Sequence, residues 1–347
     1  MIISTQTSLQ NKSSVLPSEQ YYAAIDLGSN TCRLLIAKRS GDSFSTQEVH
    51  SKIVRLAEGL SQTNRLSPMA IQRTLQIVSQ YARRINQYKP IEVYAVATEA
   101  CRQAENAESF MNLIETQTGI SFSVISQKEE AFYVAKGCAA LMQDTFPYTI
   151  FFDIGGGSTE VIWARKKSDG DVQVIDSTSL PFGVVNIAEN FNANLASIYQ
   201  TFQSEVANRV SNFAQKNHIL NEINHKRVQM ISTSGTATTV AAIHLGLRAY
   251  DRQKVDRTVL TFANIESITK QLQLMSINER VLHPCVGNER GDLILGGMAI
   301  LGGICEALPV GQLQVADRGV RDGIVAYMAY GHKPAPDHRL HLETSAA

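Results

Sequence analysis

Asp153-Ile154-Gly155-Gly156-Gly157-Ser158-Thr159-Glu160 stands between two apolar runs, Tyr148-Thr149-Ile150-Phe151-Phe152 before it and Val161-Ile162-Trp163 after it. Both runs have the β-branched and aromatic make-up of buried strands, so the octapeptide reads as the turn of a hairpin. Three successive glycines let backbone N–H groups approach a ligand with no side chain in the way. The acids at either end, Asp153 and Glu160, give that donor-rich turn a place to hold a divalent cation. Phosphate together with Mg2+ suits such a turn.

The same grammar occurs once earlier, in Ala23-Ala24-Ile25-Asp26-Leu27-Gly28-Ser29-Asn30-Thr31-Cys32-Arg33-Leu34-Leu35-Ile36. Sliding Asp26 onto Asp153 sets Gly28 on Gly155, Leu34 on Val161 and Leu35 on Ile162. The period is too long and too singular for a solenoid. It implies two domains, each opening with a phosphate-gripping hairpin.

Between and beyond the hairpins, strands and helices alternate. A third strand is expected near Phe44 to Val54, then a loop through Arg55–Leu60. Ser67-Pro68 starts a helix whose apolar face runs through Ile71, Leu75, Val78, Ala82 and Ile85. Strand Ile91–Val96 follows, with Thr98, Glu99 and Arg102 at its lip, where open α/β sheets bind ligands. Next come a helix near Glu105–Thr116 closed by Gly119, strand Phe122–Ile125 and helix Gln127–Leu141. The second half repeats this order, with strands Thr149–Asp153, Glu160–Ala164 and Val172–Ser177, helix Ile198–Lys216 and strand Val228–Ser232. Ser234-Gly235-Thr236 then leads into a helix at Val240–Leu245, whose N-terminus suits an anion. Helices Asn264–Met275 and Asp292–Leu308, strand Leu313–Val315 and helix Val320–Tyr330 close the pattern. Two α/β domains with a cleft between them are the expected architecture.

The 347 residues carry 32 basic and 32 acidic side chains, which argues against a nucleic-acid surface or a polybasic membrane patch. Five cysteines without a C-x-x-C pair fit reduced thiols in a cytoplasmic protein. No apolar run reaches the roughly 18–20 residues of a spanning helix. Residues 1–20 lack the pattern of a signal peptide and read as a disordered arm. His218, His225, His244 and His283 show no metal-ligand spacing, and no Gly-x-x-x-x-Gly-Lys-[Ser/Thr] loop is present.

Duplicated strand–hairpin–strand–helix units meeting across a cleft resemble the actin-like, ribonuclease-H-like ATPase architecture. Within it the chain resembles the exopolyphosphatase/guanosine-pentaphosphate phosphatase (Ppx–GppA) family. The matching stretches are Asp26–Asn30 with Arg33, Val96–Ala100 with Arg102, and Glu129-Glu130-Ala131. They continue with Asp153–Glu160, Ser179–Gly183, Ser234–Thr236 and Ala316–Gly323, spanning Tyr22 to Tyr327. Departures are Gln127-Lys128 where Gly and an acid are frequent, Cys32 at an apolar position, and Ser234 for a glycine. Larger members carry a further C-terminal helical region; its lack here leads us to expect short polymers as substrate.

The resemblance implies domain I over 21–127 plus 318–332, domain II over 128–317, and a C-terminal tail at 333–347. It implies that Glu130 is the catalytic glutamate acting on the attacking water, whereas Glu129 reads as a solvated helix acid. Asp153 and Glu160 are the expected ligands of Mg2+, with Mn2+ as the other candidate. Asp26 either reaches the metal through water or only orders its turn. Gly28, Ser29, Asn30, Gly155, Gly156, Gly157, Ser158, Thr159, Ser234, Gly235 and Thr236 are expected to donate to phosphate oxygens. Arg33 and Arg290 form a phosphate clamp, unless Arg290 lies in a surface loop. Thr98, Glu99 and Arg102 line the cleft wall, with Glu99 alternatively a helix N-terminal acid. The implied activity is removal of terminal phosphate from inorganic polyphosphate by a homodimer. Guanosine pentaphosphate (pppGpp) 5′-phosphohydrolysis is the alternative; a non-catalytic actin-like regulator and a sugar kinase are the rivals outside that class.

Overall fold

A computed structural model of the chain describes residues 20–40, 43–168, 170–189 and 195–329. The N-terminal arm up to residue 19, the tail at 333–347 and the end of the last expected helix lie outside the described residues. The first sheet contains β1 Tyr21–Leu27, β2 Thr31–Ser40, β3 Ser43–Ile53, β4 Glu92–Ala97 and β5 Phe122–Val124, in the order β3-β2-β1-β4-β5. The second contains β6 Tyr148–Ile154, β7 Thr159–Lys166, β8 Val172–Leu180, β9 Val228–Ser232, β10 Val259–Thr261 and β11 Gln312–Val315, in the order β10-β11-β9-β6-β7-β8. In each, the first three strands are antiparallel neighbours, and the opening strand also pairs in parallel with the fourth. Strand β10 is an antiparallel edge added to the second copy alone.

The repeat holds at atomic detail under the shift from Asp26 to Asp153. Gly28 N–H donates to Thr31 O at 2.9 Å, and Gly155 N–H donates to Ser158 O at 2.9 Å. Asp26 pairs in register with Arg33, and Asp153 with Glu160. Even the irregularity between the second and third strands recurs, at Ile36/Ala37 and at Trp163/Ala164. A bulge at the same place in both copies bends both hairpins alike, which is how such features behave when they are part of the design.

Helices cover the outer faces of both sheets. Ser67 caps the helix Pro68–Tyr88, its side chain accepting from Ala70 N–H at 3.2 Å. The buried stripe of that helix is Ala70, Thr74, Val78, Tyr81, Ala82 and Ile85, rotated slightly from the expected one, so Ile71 and Leu75 are half-buried. The reason is Tyr81, whose hydroxyl donates to Cys32 O at 2.9 Å and draws its side of the helix onto β2. In the second copy, the helices Leu195–Lys216 and Ile294–Ala307 pack on each other and on the sheet.

A third apolar core lies between the two sheets. The helix Gln127–Cys138 leaves the first sheet and packs against β7 and β8, while Val320–Ala329 leaves the second and packs against β1 and β2. The two helices cross at Gly137 and Gly323. A Cβ on Gly137 would lie 2.2 Å from Gly319 O, and one on Gly323 would lie 1.9 Å from Tyr133 O. Backbones in such contact leave no room for any side chain, so glycine is required at both positions.

The remaining differences from the sequence expectations are local. The helix expected from Val240 begins five residues earlier, at Gly235, because Ser234 caps it by accepting from Ala237 N–H at 3.0 Å. A short helix, Glu99–Gln103, precedes Ala107–Thr118, and another, Leu60–Thr63, begins at the last residue of the expected 55–60 loop. All five cysteines are free thiols, four of them buried. No described helix is long and apolar enough to cross a membrane.

Candidate active site

The two hairpin tips meet. A Cβ on Gly156 would lie 2.7 Å from both Cβ and N of Asn30, and one on Gly157 would lie 2.8 Å from Ser29 Oγ. The tips share a way of presenting donors. Ser29 O accepts from Ala57 N–H, and Asn30 O from Val54 and Arg55 N–H, at 2.8–3.0 Å. Gly155 O and Gly156 O accept from Val184 and Val185 N–H at 3.0 and 2.9 Å, and Gly157 O accepts from the Asn186 amide at 3.0 Å. Carbonyls are thus tied back by neighbouring segments. Among the described residues, the N–H groups of Gly156, Gly157 and Ser158 donate to no backbone acceptor, an arrangement suited to an anion.

Behind the tips lie four acids. Asp26, Glu130 and Glu160 are buried and Asp153 half-buried. Burial raises all four carboxyls above their ordinary range. Asp26 rises to about 6, with Arg33 opposing and Asp153 adding to the shift. Burial also lifts Asp153, and Arg33 again opposes. Glu160 is raised by burial first and by Asp153, against hydrogen bonds from Ser158 Oγ at 2.7 Å and Ser179 Oγ at 3.0 Å. Glu130 is raised well above the usual value by burial and then by Glu160, with Arg102 opposing.

Arg102, expected in the cleft wall, is engaged by two acids. Its Nη1 donates to Glu130 Oε2 at 2.9 Å and to Ile125 O at 2.8 Å, while Nη2 and Nε donate to Glu99 Oε2 at 2.6 and 3.0 Å. The guanidinium therefore bridges Glu99 and Glu130 and fixes one oxygen of the candidate base. Its position follows from β4, which ends at Ala97 so that the next helical turn faces the start of Gln127–Cys138. Ser126 and Glu129 form a capping box there, Ser126 N–H donating to Glu129 Oε2 at 2.8 Å. Glu129 is thereby occupied with its own helix, and Glu130, one residue on, turns inward.

Other expected ligands divide. Arg33 and Arg290 line the same small cavity of about 60 Å3 together with Asn30, Gly155, Gly156 and Thr236. Arg290 Nη1 donates to Thr239 Oγ1 at 2.8 Å and to Gly235 O at 3.3 Å, so its side chain reaches the cleft wall from a turn in which Asn288 and Glu289 are exposed. Thr159 is fully buried and its hydroxyl donates to Phe182 O at 2.6 Å, which occupies it in holding the 180–183 turn. Ser234 Oγ is engaged as the helix cap, leaving Gly235 beside Arg290. Thr98 is buried at the end of β4, its N–H donating to Leu27 O at 3.1 Å. Sequence reasoning missed Ser179 as a partner of Glu160 and Arg102 as the partner of Glu130. Both stand in motifs the resemblance had already marked, but pairing is a property of the folded chain.

Such a fold and cleft define a two-lobed α/β protein of the actin-like class, with duplicated hairpins whose tips meet. The comparisons agree: the chain belongs to the Ppx/GppA phosphatase family, matching it over residues 35–332. It is 29% identical over 314 residues to guanosine-5′-triphosphate,3′-diphosphate pyrophosphatase of Aliivibrio fischeri, covering 90% of this chain and 60% of that one. It is 30% identical over 300 residues to the bifunctional 3-dehydroquinate synthase/phosphatase of Fusobacterium nucleatum, of which it spans 42%. Exopolyphosphatase 2 of Mycobacterium tuberculosis is 27% identical, with 88% of this chain and 98% of that one aligned. A crystal structure of an Aquifex aeolicus family member superposes with a TM-score of 0.74 at 28% identity, covering 91% of this chain and all of that one.

Proposed function

We propose that the chain is a metal-dependent phosphoanhydride hydrolase that releases orthophosphate from the end of inorganic polyphosphate. One observation carries this reading: Glu130, buried and fixed by Arg102, lies within reach of the charges of Glu160 and Asp26, and Glu160 in turn faces its register partner Asp153, behind two donor-rich tips. Asp153 and Glu160 are register partners whose proton affinity is raised, the condition in which a divalent cation displaces a proton. Among the described residues no three His, Cys, Asp or Glu side chains converge on one point. A hard cation there would take the rest of its shell from phosphate oxygens and water, as Mg2+ characteristically does. Asp153 and Glu160 would hold it, and when bound it neutralises charge on the phosphoryl oxygens.

The chain's own groups account for the rest. Tip N–H groups with Arg33 and Arg290 orient the terminal phosphoryl. Glu130 Oε1 accepts a proton from the attacking water while Oε2 stays on Arg102. The new P–O bond forms as the bridging P–O bond breaks, and the shortened chain leaves with its negative charge. Positioning and electrostatics dominate such a transfer because its transition state is loose. A raised carboxyl is also the better base near neutral pH.

The similarity to the Aliivibrio fischeri protein favours pppGpp as the second reading. Phosphate release from short polyphosphate, long polyphosphate, pppGpp and ATP in parallel, with and without chelator, separates the alternatives. Release from none of the four, with binding intact, would leave a regulator and end the hydrolase reading.

A further inference from the structure

Glu99 carries no part in the chemistry described above, yet it holds more of Arg102 than Glu130 does. Glu99 Oε2 accepts from both Nε and Nη2 of Arg102, at 3.0 and 2.6 Å, while Glu130 receives one N–H at 2.9 Å. With Ile125 O as a further acceptor, four of the five N–H groups of the guanidinium are engaged. Glu99 is braced in turn. Its other oxygen, Oε1, accepts from Gln103 Nε2 at 2.6 Å, and its Cγ lies 3.7 Å from where a Cβ on Gly157 would stand. Gln103, Glu99, Arg102 and Glu130 thus form one continuous chain of hydrogen bonds that passes the second hairpin tip.

An acid that served only the start of its helix would leave its carboxylate to the first N–H groups or to water. Glu99 instead turns both oxygens onto the side chains of Arg102 and Gln103, in a helix of five residues that gains little from such pairs. The side chains of Glu99, Arg102 and Glu130 are 13, 17 and 11% exposed, so water screens the pairing weakly. Location gives the arrangement a purpose. The N–H groups of Gly156 and Gly157 suit an anion, and a guanidinium beside them, free on its Nε–Nη2 edge, would take phosphoryl oxygens in pairs. Arg102 would then no longer hold Glu130.

We infer that Glu99 is a positioning residue: it occupies the Nε–Nη2 edge of Arg102, so that the guanidinium orients Glu130 and is kept from the phosphoryl oxygens of the substrate. The inference rests on the reading of Glu130 as the base of a phosphoanhydride hydrolase. Without Glu99, Arg102 gains a contact with the ground state and loses its hold on the base. Substrate then binds more tightly and turns over more slowly.

Steady-state phosphate release by the full chain tests the proposal, with whichever of short polyphosphate and pppGpp the wild type turns over. Glu99→Gln keeps the shape of the side chain and removes its charge; Glu99→Ala, a good helix former, is the second variant. In both, kcat is expected to fall at least about tenfold while KM falls or stays level. Added to Arg102→Gln, the same substitutions should change kcat by less than about twofold, because residues that act as a unit are not additive. A role in helix stability alone would lower the melting temperature and leave kcat in place. Unchanged kcat in both Glu99 variants overturns the inference, as does a fall accompanied by a higher KM, or a fall of equal size with and without Arg102. Phosphate release by the wild type leaves the hydrolase reading standing in each of those cases. No release by the wild type from either substrate overturns both.

Discussion

Arg33 and Glu160 occupy equivalent positions in the two hairpins, and the difference between them divides the labour of the cleft. One copy brings a cation opposite its aspartate and the other an acid, so a symmetric frame carries an asymmetric site. Charge identity was legible in the sequence, since both residues follow their aspartate at the same spacing. The Arg102–Glu130 pair was not, because 28 residues separate the partners and only folding brings β4's end onto the helix beginning at Gln127. That pair predicts a pH effect. Arg102 opposes the upward shift of the Glu130 carboxyl, so Arg102→Gln should move the acid limb of kcat/KM to higher pH as well as lower kcat. A pH profile of the variant with an unmoved limb would show that Arg102 does not act through Glu130. Asp26 predicts a stability effect of definite sign. Its carboxyl is raised from 3.8 to about 6, so its contribution to stability is fully present below pH 3.8 and is lost as pH rises through 6. In protein stripped of divalent cations, Asp26→Asn should therefore stabilise at pH 8 by on the order of 2–3 kcal/mol and lose that advantage near pH 4. Thermal melts at the two pH values check it.

At the scale of elements, the hairpins were readable because their signals are local: apolar runs, an Asp-x-Gly, a small-residue turn. The crossing of Gln127–Cys138 with Val320–Ala329 was not, since its requirement is for missing atoms at Gly137 and Gly323. Helix interiors ordinarily disfavour glycine by about 1 kcal/mol relative to alanine, so an exposed helix would gain from Gly→Ala. Here the sign reverses. A methyl group on Gly323 would overlap Tyr133 O, and Gly323→Ala should destabilise by at least about 2 kcal/mol in urea unfolding. A neutral or stabilising result would mean that the helices do not touch at this point. The start of Gly235–His244 was misplaced because Gly-Thr-Ala-Thr-Thr has weak helix propensity, and the Ser234 cap overrides it. The same cap explains why Ser234, expected to bind phosphate, is engaged in structure.

Across the whole molecule, the sheets are joined by a shared apolar core at the base of the cleft and by polar contacts at its mouth. Arg55 pairs with Asp292 at 3.0 Å, while Gly59 N–H and Ser61 Oγ each donate to Glu189 at 3.0 Å. Contacts of this exposed kind contribute at most about 1 kcal/mol each, so they would oppose an opening of the cleft only weakly. The double variant Asp292→Ala/Glu189→Ala should accordingly raise KM a few-fold and enlarge the radius of gyration of the free protein, with kcat little changed. Scattering and steady-state kinetics read both. The duplicated architecture itself was visible in one alignment of Asp26 on Asp153, and the repeated bulge shows how far that alignment extends. The central claim is that Glu130, held by Arg102 beneath the two tips, performs the proton transfer. Orthophosphate release from short polyphosphate at saturation, by wild type and by Glu130→Gln of equal melting temperature, tests it most directly. The account predicts a fall of at least about 100-fold; turnover by Glu130→Gln at the wild-type rate would contradict it.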